Sequence, residues 1–416
     1  MYSYINVCKK TDNLHGSIYI TGSKSISNRL LILKAIYGND IYIDNISDCD
    51  DTNILKKSLI STSNILDINH AGTAMRFLTS YLSIQEKKEV ILTGSNRMKE
   101  RPISVLVDSL IKLGAKIDYL EKIGFPPIKI FGKKILGGKI TIDAKISSQY
   151  ISSLMLIASK FENGLKIFLE NHITSLPYIK MTFDLLISSG IIATWTNKMI
   201  HIYPGKKIGK KYFKVESDWS SASYYYSMVS ISKNSNVTLY SYNKKSLQGD
   251  KMISTIYKKY FGISTIFNNN EIKLVKNINF YHKKYIELNL NETPDIAQTI
   301  AVTCASLGIK CKLKGLETLR IKETDRLEAL KKELLKFGII TNITNYDFEI
   351  KDFYKNYKEK KLPIEVKTYQ DHRMAMSFTT FALCCFSLKI EEPYVVNKSY
   401  PNFWKDLKHL SFSITM

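Results

Sequence analysis

A pattern of helix, glycine and strand recurs along this chain at nearly constant spacing, which confines it to folds assembled from one repeated unit. The runs VLVDSLIKLGAKID, MTFDLLISSGIIAT, MISTIYKKYFGISTI and LEALKKELLKFGIITN place glycines at Gly114, Gly190, Gly262 and Gly338, at intervals of 76, 72 and 76 residues. Each amphipathic stretch stops on a residue that takes the left-handed conformation without a Cβ penalty and then enters β-branched residues, the punctuation of an α-to-β connection. Gly38, after RLLILKAIY, lies a further 76 residues upstream of Gly114. At that period the 416 residues hold about six units of mixed strands and helices, an α/β chain.

Other helical runs begin with small polar residues or proline and are apolar on most sides: SISNRLLILKAI, AGTAMRFLTSYL, SSQYISSLMLIAS, DWSSASYYYSMVSI, TPDIAQTIAVTCASLG and DHRMAMSFTTFALCC. A helix without a wet face belongs in the interior, so helices are expected inside and sheets outside. The lysine-rich stretches 205–214 and 355–361 read as solvated loops or edge strands.

No signal-peptide-like start and no apolar run of membrane-spanning length occurs, so the expectation is a cytoplasmic protein without membrane attachment. The six cysteines, Cys8, Cys49, Cys304, Cys311, Cys384 and Cys385, contain no C-x-x-C pair, and no two histidines stand four apart, so neither zinc nor a disulfide framework is indicated. A net charge of +22 invites a nucleic-acid reading, but the lysines are spread along the whole chain, as a general bias of composition spreads them. An RNA-binding protein of repeated architecture is the rival from another class.

The arginines are more informative, because a guanidinium meets carboxylate and phosphate with a planar fork that an ammonium lacks. There are seven among 60 basic residues, Arg29, Arg76, Arg97, Arg101, Arg320, Arg326 and Arg373, and they lie in or beside short segments that make four groups. In the first region, residues 17–33, a strand ending at Thr21-Gly22 runs through Ser23-Lys24-Ser25 into a helix, an anion site formed by backbone N–H groups and an ammonium. The second, His70 to Arg76, is a small-residue helix start where Gly72 lets a ligand approach the backbone. The third, Arg97 to Ile103, is a charged loop closed by Pro102. The fourth comprises Thr293-Pro294-Asp295, Lys322-Glu-Thr-Asp-Arg326 and Asp371-His-Arg373; Lys322 and Arg326 read as i, i+4 neighbours on one helix face, with Glu323 a carboxylate tuned by its surroundings.

In this order GSKSISNR, AGTAMRF, LTGSNRMKERPI, SSQY, SLPYI, SDWSSASY, LQGD, PDIAQT, KETDRL, DHRMAM and KSYP resemble the 3-phosphoshikimate 1-carboxyvinyltransferase (5-enolpyruvylshikimate-3-phosphate synthase) family over residues 17–402. The resemblance implies two inside-out α/β lobes, each of three βαβαββ-type units, divided as 22–217 and as 1–21 plus 218–416, with the active site in the cleft between them. It implies transfer of the enolpyruvyl group of phosphoenolpyruvate to the 5-hydroxyl of shikimate 3-phosphate, no metal or organic cofactor, and a monomer. Shikimate 3-phosphate would be held by Lys24, Ser25, Arg29, Ser147, Ser148, Gln149, Ser175, Tyr178, Asp295 and Lys322. Phosphoenolpyruvate, whose site glyphosate occupies in this family, would be held by Lys24, Gly72, Arg101, Gln149, Arg326, Arg373 and Lys398. Asp295 would be the general base, with Glu323 and Lys24 handling the carbon-bound proton; Arg76, Arg97 and Arg320 would support them. His70 and Thr318 stand where many relatives carry Asn. The related transferase acting on UDP-N-acetylglucosamine carries a reactive Cys on a loop that, between Ser95 and Ile103 here, has none.

Overall fold

The computed structural model describes residues 3–145, 147–205, 207–354, 363–384 and 387–415; the 355–361 stretch and Cys385 lie outside the described residues. Two compact units form, Met1–Thr21 with Glu216–Met416, and Gly22–Val215.

One pattern builds both. In the Gly22–Val215 unit, strand Ile65–Asp67, helix Gly72–Ser83, strand Glu89–Thr93 and helix Ser104–Lys112 precede the hairpin Lys116–Tyr119/Ile128–Phe131. The first two strands pair parallel, and the hairpin's second strand adds antiparallel to them. Strands Gly138–Asp143, Leu165–Glu170, Ala193–Thr196 and Met199–Ile202 repeat the order around helices Ser148–Ile157 and Leu176–Ser188. The third module is reduced: helices Lys24–Tyr37 and Asp50–Ile60 accompany only the parallel pair Lys211–Lys214 and Ile41–Asp44, with no hairpin among the described residues. Three full four-stranded sheets occur in the other unit, around helices Trp219–Ile231, Ala297–Leu307 and His372–Thr379. One unit thus has three four-stranded modules, and the other has two with a third reduced to two paired strands among the described residues.

The five glycines of the repeat all have positive φ, between 64° and 107°, each closing the second helix of its module or, for Gly38, the helix Lys24–Tyr37. The first helix of each full module is the apolar one: Gly72–Ser83 is buried except at Thr73, and His372–Thr379 is buried throughout. The strands around them alternate, as in Tyr285–Asn289, where only Ile286 and Leu288 point inward. Sheets consequently show one wet face and helices pack between them. Hydroxyls that such helices bury bond across them: Ser80 with Ser153 at 2.6 Å in one unit; Thr303 to Ser227 at 2.7 Å and Thr299 with Ser377 at 3.3 Å in the other.

Candidate active site

In the 216–416 unit the carboxylates and cations of the fourth region converge on Arg326. Asp325 caps the helix Arg326–Lys336 by accepting the Leu327 and Glu328 N–H groups, which puts Arg326 in its first turn. The guanidinium is 2% exposed and donates in three directions, Nε to Asp371 at 2.6 Å, Nη1 to Asp295 at 3.1 Å and Nη2 to Glu323 at 2.8 Å. Asp295, in the one-turn helix Pro294–Ile296, also meets Arg373 Nη2 at 3.1 Å and Lys322 Nζ at 3.7 Å. Lys398 Nζ lies 2.9 Å from Glu323. Burial would push the Asp295 carboxyl up, but Arg373, Lys322 and Arg326 outweigh it and hold the group well below the usual carboxylate range. Nearby Asp250, buried and bonded to Ser220, goes the other way: burial and the Asp295 charge, opposed by Arg373, push it up to about 7.

One local reading fails. Lys322 and Arg326 do not share a helix face: Lys322 lies outside the helix in extended backbone (φ −83°, ψ −150°), because Asp325 rather than the 322–324 segment starts it. The two cations meet at Asp295 nonetheless. Arg320 is spent on Asp325 at 2.6 Å and on the Thr344 carbonyl, which fixes the helix cap. Thr318 Oγ is buried without a hydrogen-bond partner among the described residues.

In the 22–215 unit the helix Lys24–Tyr37 starts at Lys24, whose ammonium lies 3.1 Å from the buried Asp51; His70 Nε2 is 3.9 Å from the other Asp51 oxygen. Ser147 caps the helix Ser148–Ile157 through the Gln149 N–H, and the Gln149 amide donates to Thr73 Oγ at 3.4 Å, joining the Ser-Ser-Gln segment to the Gly72 loop. Ser175 precedes its helix in the left-handed region, φ 53°, a strained geometry for a serine of the kind that collects at binding sites. Arg29 turns inward. Its guanidinium donates to Thr182 Oγ at 2.7 Å, Ser152 Oγ at 3.2 Å and the carbonyls of Ser25 and Tyr178, and burial pulls it down to about 10, so it stays ionised at neutral pH.

Two arginines crowd Gly72, at the start of its helix. A Cβ built there would sit 2.6 Å from Arg101 Nη1 and 3.0 Å from Arg76 Nη1; Arg76 is itself held by the Gly72 carbonyl at 2.9 Å. Arg101 is buried, whereas Arg97 pairs with Glu100 at the surface. Asp51 and Asp250 escaped sequence reasoning, since nothing in DCDDTN or LQGD singles out one Asp until the fold brings Lys24 or Ser220 beside it. Among the described residues no group of three His, Cys, Asp or Glu is disposed to hold a metal, and no helix is long and apolar enough to cross a membrane.

Residues 54–407 match the family described as EPSP synthase (3-phosphoshikimate 1-carboxyvinyltransferase). The chain is 40% identical over 401 residues to a 3-phosphoshikimate 1-carboxyvinyltransferase of Bacteroides fragilis (strain YCH46), covering 96% of each. It is 36% identical over 430 residues to that of Buchnera aphidicola subsp. Cinara cedri (strain Cc), covering 96% of this chain and 95% of the relative. An EPSP synthase structure from Acinetobacter baumannii superposes with a TM-score of 0.76 at 20% identity, with both chains fully covered, a likeness of fold.

Proposed function

The chain belongs to the EPSP synthase family, the 3-phosphoshikimate 1-carboxyvinyltransferases, and from that premise we propose how its residues divide the work of that reaction. The enzyme transfers the enolpyruvyl group of phosphoenolpyruvate to the 5-hydroxyl of shikimate 3-phosphate and releases phosphate, a step of aromatic amino acid biosynthesis. The methylene carbon of phosphoenolpyruvate gains a proton while the hydroxyl oxygen bonds to the adjacent carbon; the resulting ketal phosphate then loses a methyl proton and phosphate.

Asp295 takes the hydroxyl proton. The observation that carries this assignment is its place among three cations, Arg326 and Arg373 at 3.1 Å and Lys322 at 3.7 Å, which hold its carboxyl below the usual range. When the substrate anions draw Arg373 and Lys322 toward themselves, Asp295 loses counter-charges inside a buried site and its basicity rises as the reaction needs it. Glu323, between Arg326 and Lys398, and Lys24, beside Asp51, pass the carbon-bound proton. Lys24, Gly72, Arg101, Gln149, Arg326, Arg373 and Lys398 receive phosphoenolpyruvate; Lys24, Ser25, Arg29, Ser147, Ser148, Gln149, Ser175, Tyr178, Asp295 and Lys322 receive shikimate 3-phosphate. Arg29 serves mainly by fixing Ser25 and Tyr178 through their carbonyls. We further assign the protein to the cytoplasm as a monomer that acts on these small molecules and not on nucleic acid.

Phosphate release from phosphoenolpyruvate is expected only when shikimate 3-phosphate is present, with EDTA leaving the rate unchanged because lysine and arginine side chains supply the positive charge. A coupled phosphate assay decides it, and equal activity with UDP-N-acetylglucosamine would sink the reading.

Gly72→Ala is expected to raise the phosphoenolpyruvate KM by about tenfold. The added methyl pushes aside the Arg101 guanidinium, the far end of a flexible side chain, so the fold tolerates the change while the grip on the anion is lost. Glyphosate inhibition should weaken more than substrate binding, and shikimate 3-phosphate affinity should stay unchanged by calorimetry. Equal losses for all three ligands would show that the fold, and not Arg101, was disturbed.

A further inference from the structure

The segment that delivers Asp371 and Arg373 is held at two points by one helix, and only one of them belongs to the site. At the first, Arg326 in the opening turn of Arg326–Lys336 grips Asp371. At the second, two turns further along the same helix, Glu333 is wholly buried. Its carboxylate accepts the Tyr369 hydroxyl at 2.7 Å, the Lys367 backbone N–H at 3.0 Å and the Lys336 ammonium at 2.7 Å. Lys336 also donates to the Glu365 carbonyl at 3.0 Å. Between the two grips the chain makes a turn that its residues resist: Tyr369 and Gln370 both have positive φ, 53° and 55°, and neither is glycine. Such strain persists only where the surroundings over-determine the conformation. The turn ends at Asp371, whose second oxygen caps the helix His372–Thr379 by accepting the Arg373 N–H at 2.8 Å, and Arg373 in turn meets Asp295 at 3.1 Å.

We propose that Glu333 is a positioning residue for the enolpyruvyl transfer, holding the Lys367–Gln370 turn in its strained form so that Asp371 and Arg373 are set against Arg326 and Asp295. This rests on the assignment of Asp295 and Arg373 to the substrate site. A fully buried carboxylate with three donors is satisfied by the protein alone, and Tyr369, Lys367 and Lys336 are not among the groups assigned to the substrates, so its effect on the reaction runs through the turn. A shift of the turn by a fraction of an ångström moves the Arg373 fork away from the anion it must meet.

Tyr369→Phe and Glu333→Gln test this with kcat, KM and thermal midpoint measured on each. Tyr369→Phe keeps the ring and removes one bond to Glu333; kcat/KM for phosphoenolpyruvate should fall by about tenfold. Glu333→Gln should fall further, and the double variant should be no worse than Glu333→Gln, because both act through one contact. Kinetic constants of Tyr369→Phe within about twofold of the unsubstituted protein, with only the thermal midpoint lowered, would overturn the proposal and leave Glu333 a purely structural residue. If Glu333→Gln fails to fold, Tyr369→Phe decides alone. The unsubstituted protein, assayed alongside, separates this failure from that of the functional reading: if it shows no turnover, both fall.

Discussion

Asp295→Asn is expected to lower kcat by about a hundredfold or more while the phosphoenolpyruvate KM does not rise, as loss of a general base requires. Asparagine fills the same space and can still accept one hydrogen bond, but it cannot take the hydroxyl proton. Its amide also leaves Lys322, Arg326 and Arg373, which now share the Asp295 charge at 3.7, 3.1 and 3.1 Å, with less negative charge between them. Those cations are then freer to meet the carboxylate and phosphates of the substrates, so binding should hold or tighten as turnover collapses. The opposite split would identify Asp295 as a counter-ion only: kcat within about threefold and KM lowered. Steady-state kinetics with a calorimetric titration of shikimate 3-phosphate distinguish the two outcomes, and a near-normal rate would move the base to Glu323 or elsewhere.

The periodic part of the fold is legible because the connection after the second helix of four modules, and after Lys24–Tyr37, places a glycine in the left-handed region, and that requirement is written into the sequence at near-fixed intervals. The buried helices were legible for a related reason, since a helix apolar on all sides has nowhere else to go. What the sequence could not show was the reduced module that pairs Ile41–Asp44 with Lys211–Lys214: a module without a hairpin among the described residues leaves no positive signal, and its two strands lie far apart in the chain. The site divides in the same way. Scarce arginines point to segments whose cations and carboxylates the structure draws together around Arg326, yet they do not reveal which side chain faces which. Arg29 reads as an anion ligand, and its fork is also held by Thr182, Ser152 and the carbonyls of Ser25 and Tyr178. Lys322 looked like a helix neighbour of Arg326 and reaches the same carboxylate from outside the helix. Both outcomes depend on tertiary partners remote in sequence, which local spacing does not encode.

Arg326→Met is expected to destabilise the protein by about 3–5 kcal/mol, the cost of leaving a buried charge without its partner. Asp371 is 0% exposed, so on losing the Arg326 Nε–H it has no water to turn to. Glu323 keeps Lys398, and Asp295 keeps Arg373 and Lys322, which limits the damage at those two carboxylates. Arg326→Lys retains the charge but not the three-way fork, because one ammonium cannot reproduce contacts made separately through Nε, Nη1 and Nη2; about half the loss should remain. Arg97→Lys, altering an exposed pair with Glu100, should cost less than about 1 kcal/mol and serves as the comparison. The pH dependence has a definite sign. A carboxyl held below its usual range in the folded protein, as Asp295 is by Arg373, Lys322 and Arg326 against the effect of burial, adds stability above the unfolded value of about 3.9 and loses it as pH falls through the folded value. Removing Arg326 raises the folded value, so less of that stability exists to be lost, and the gap between the two proteins should be widest near neutral pH and narrow below about pH 4. Urea unfolding across that range reads it directly; a gap that stayed constant or widened in acid would mean that Arg326 stabilises the protein by packing and not by its charge.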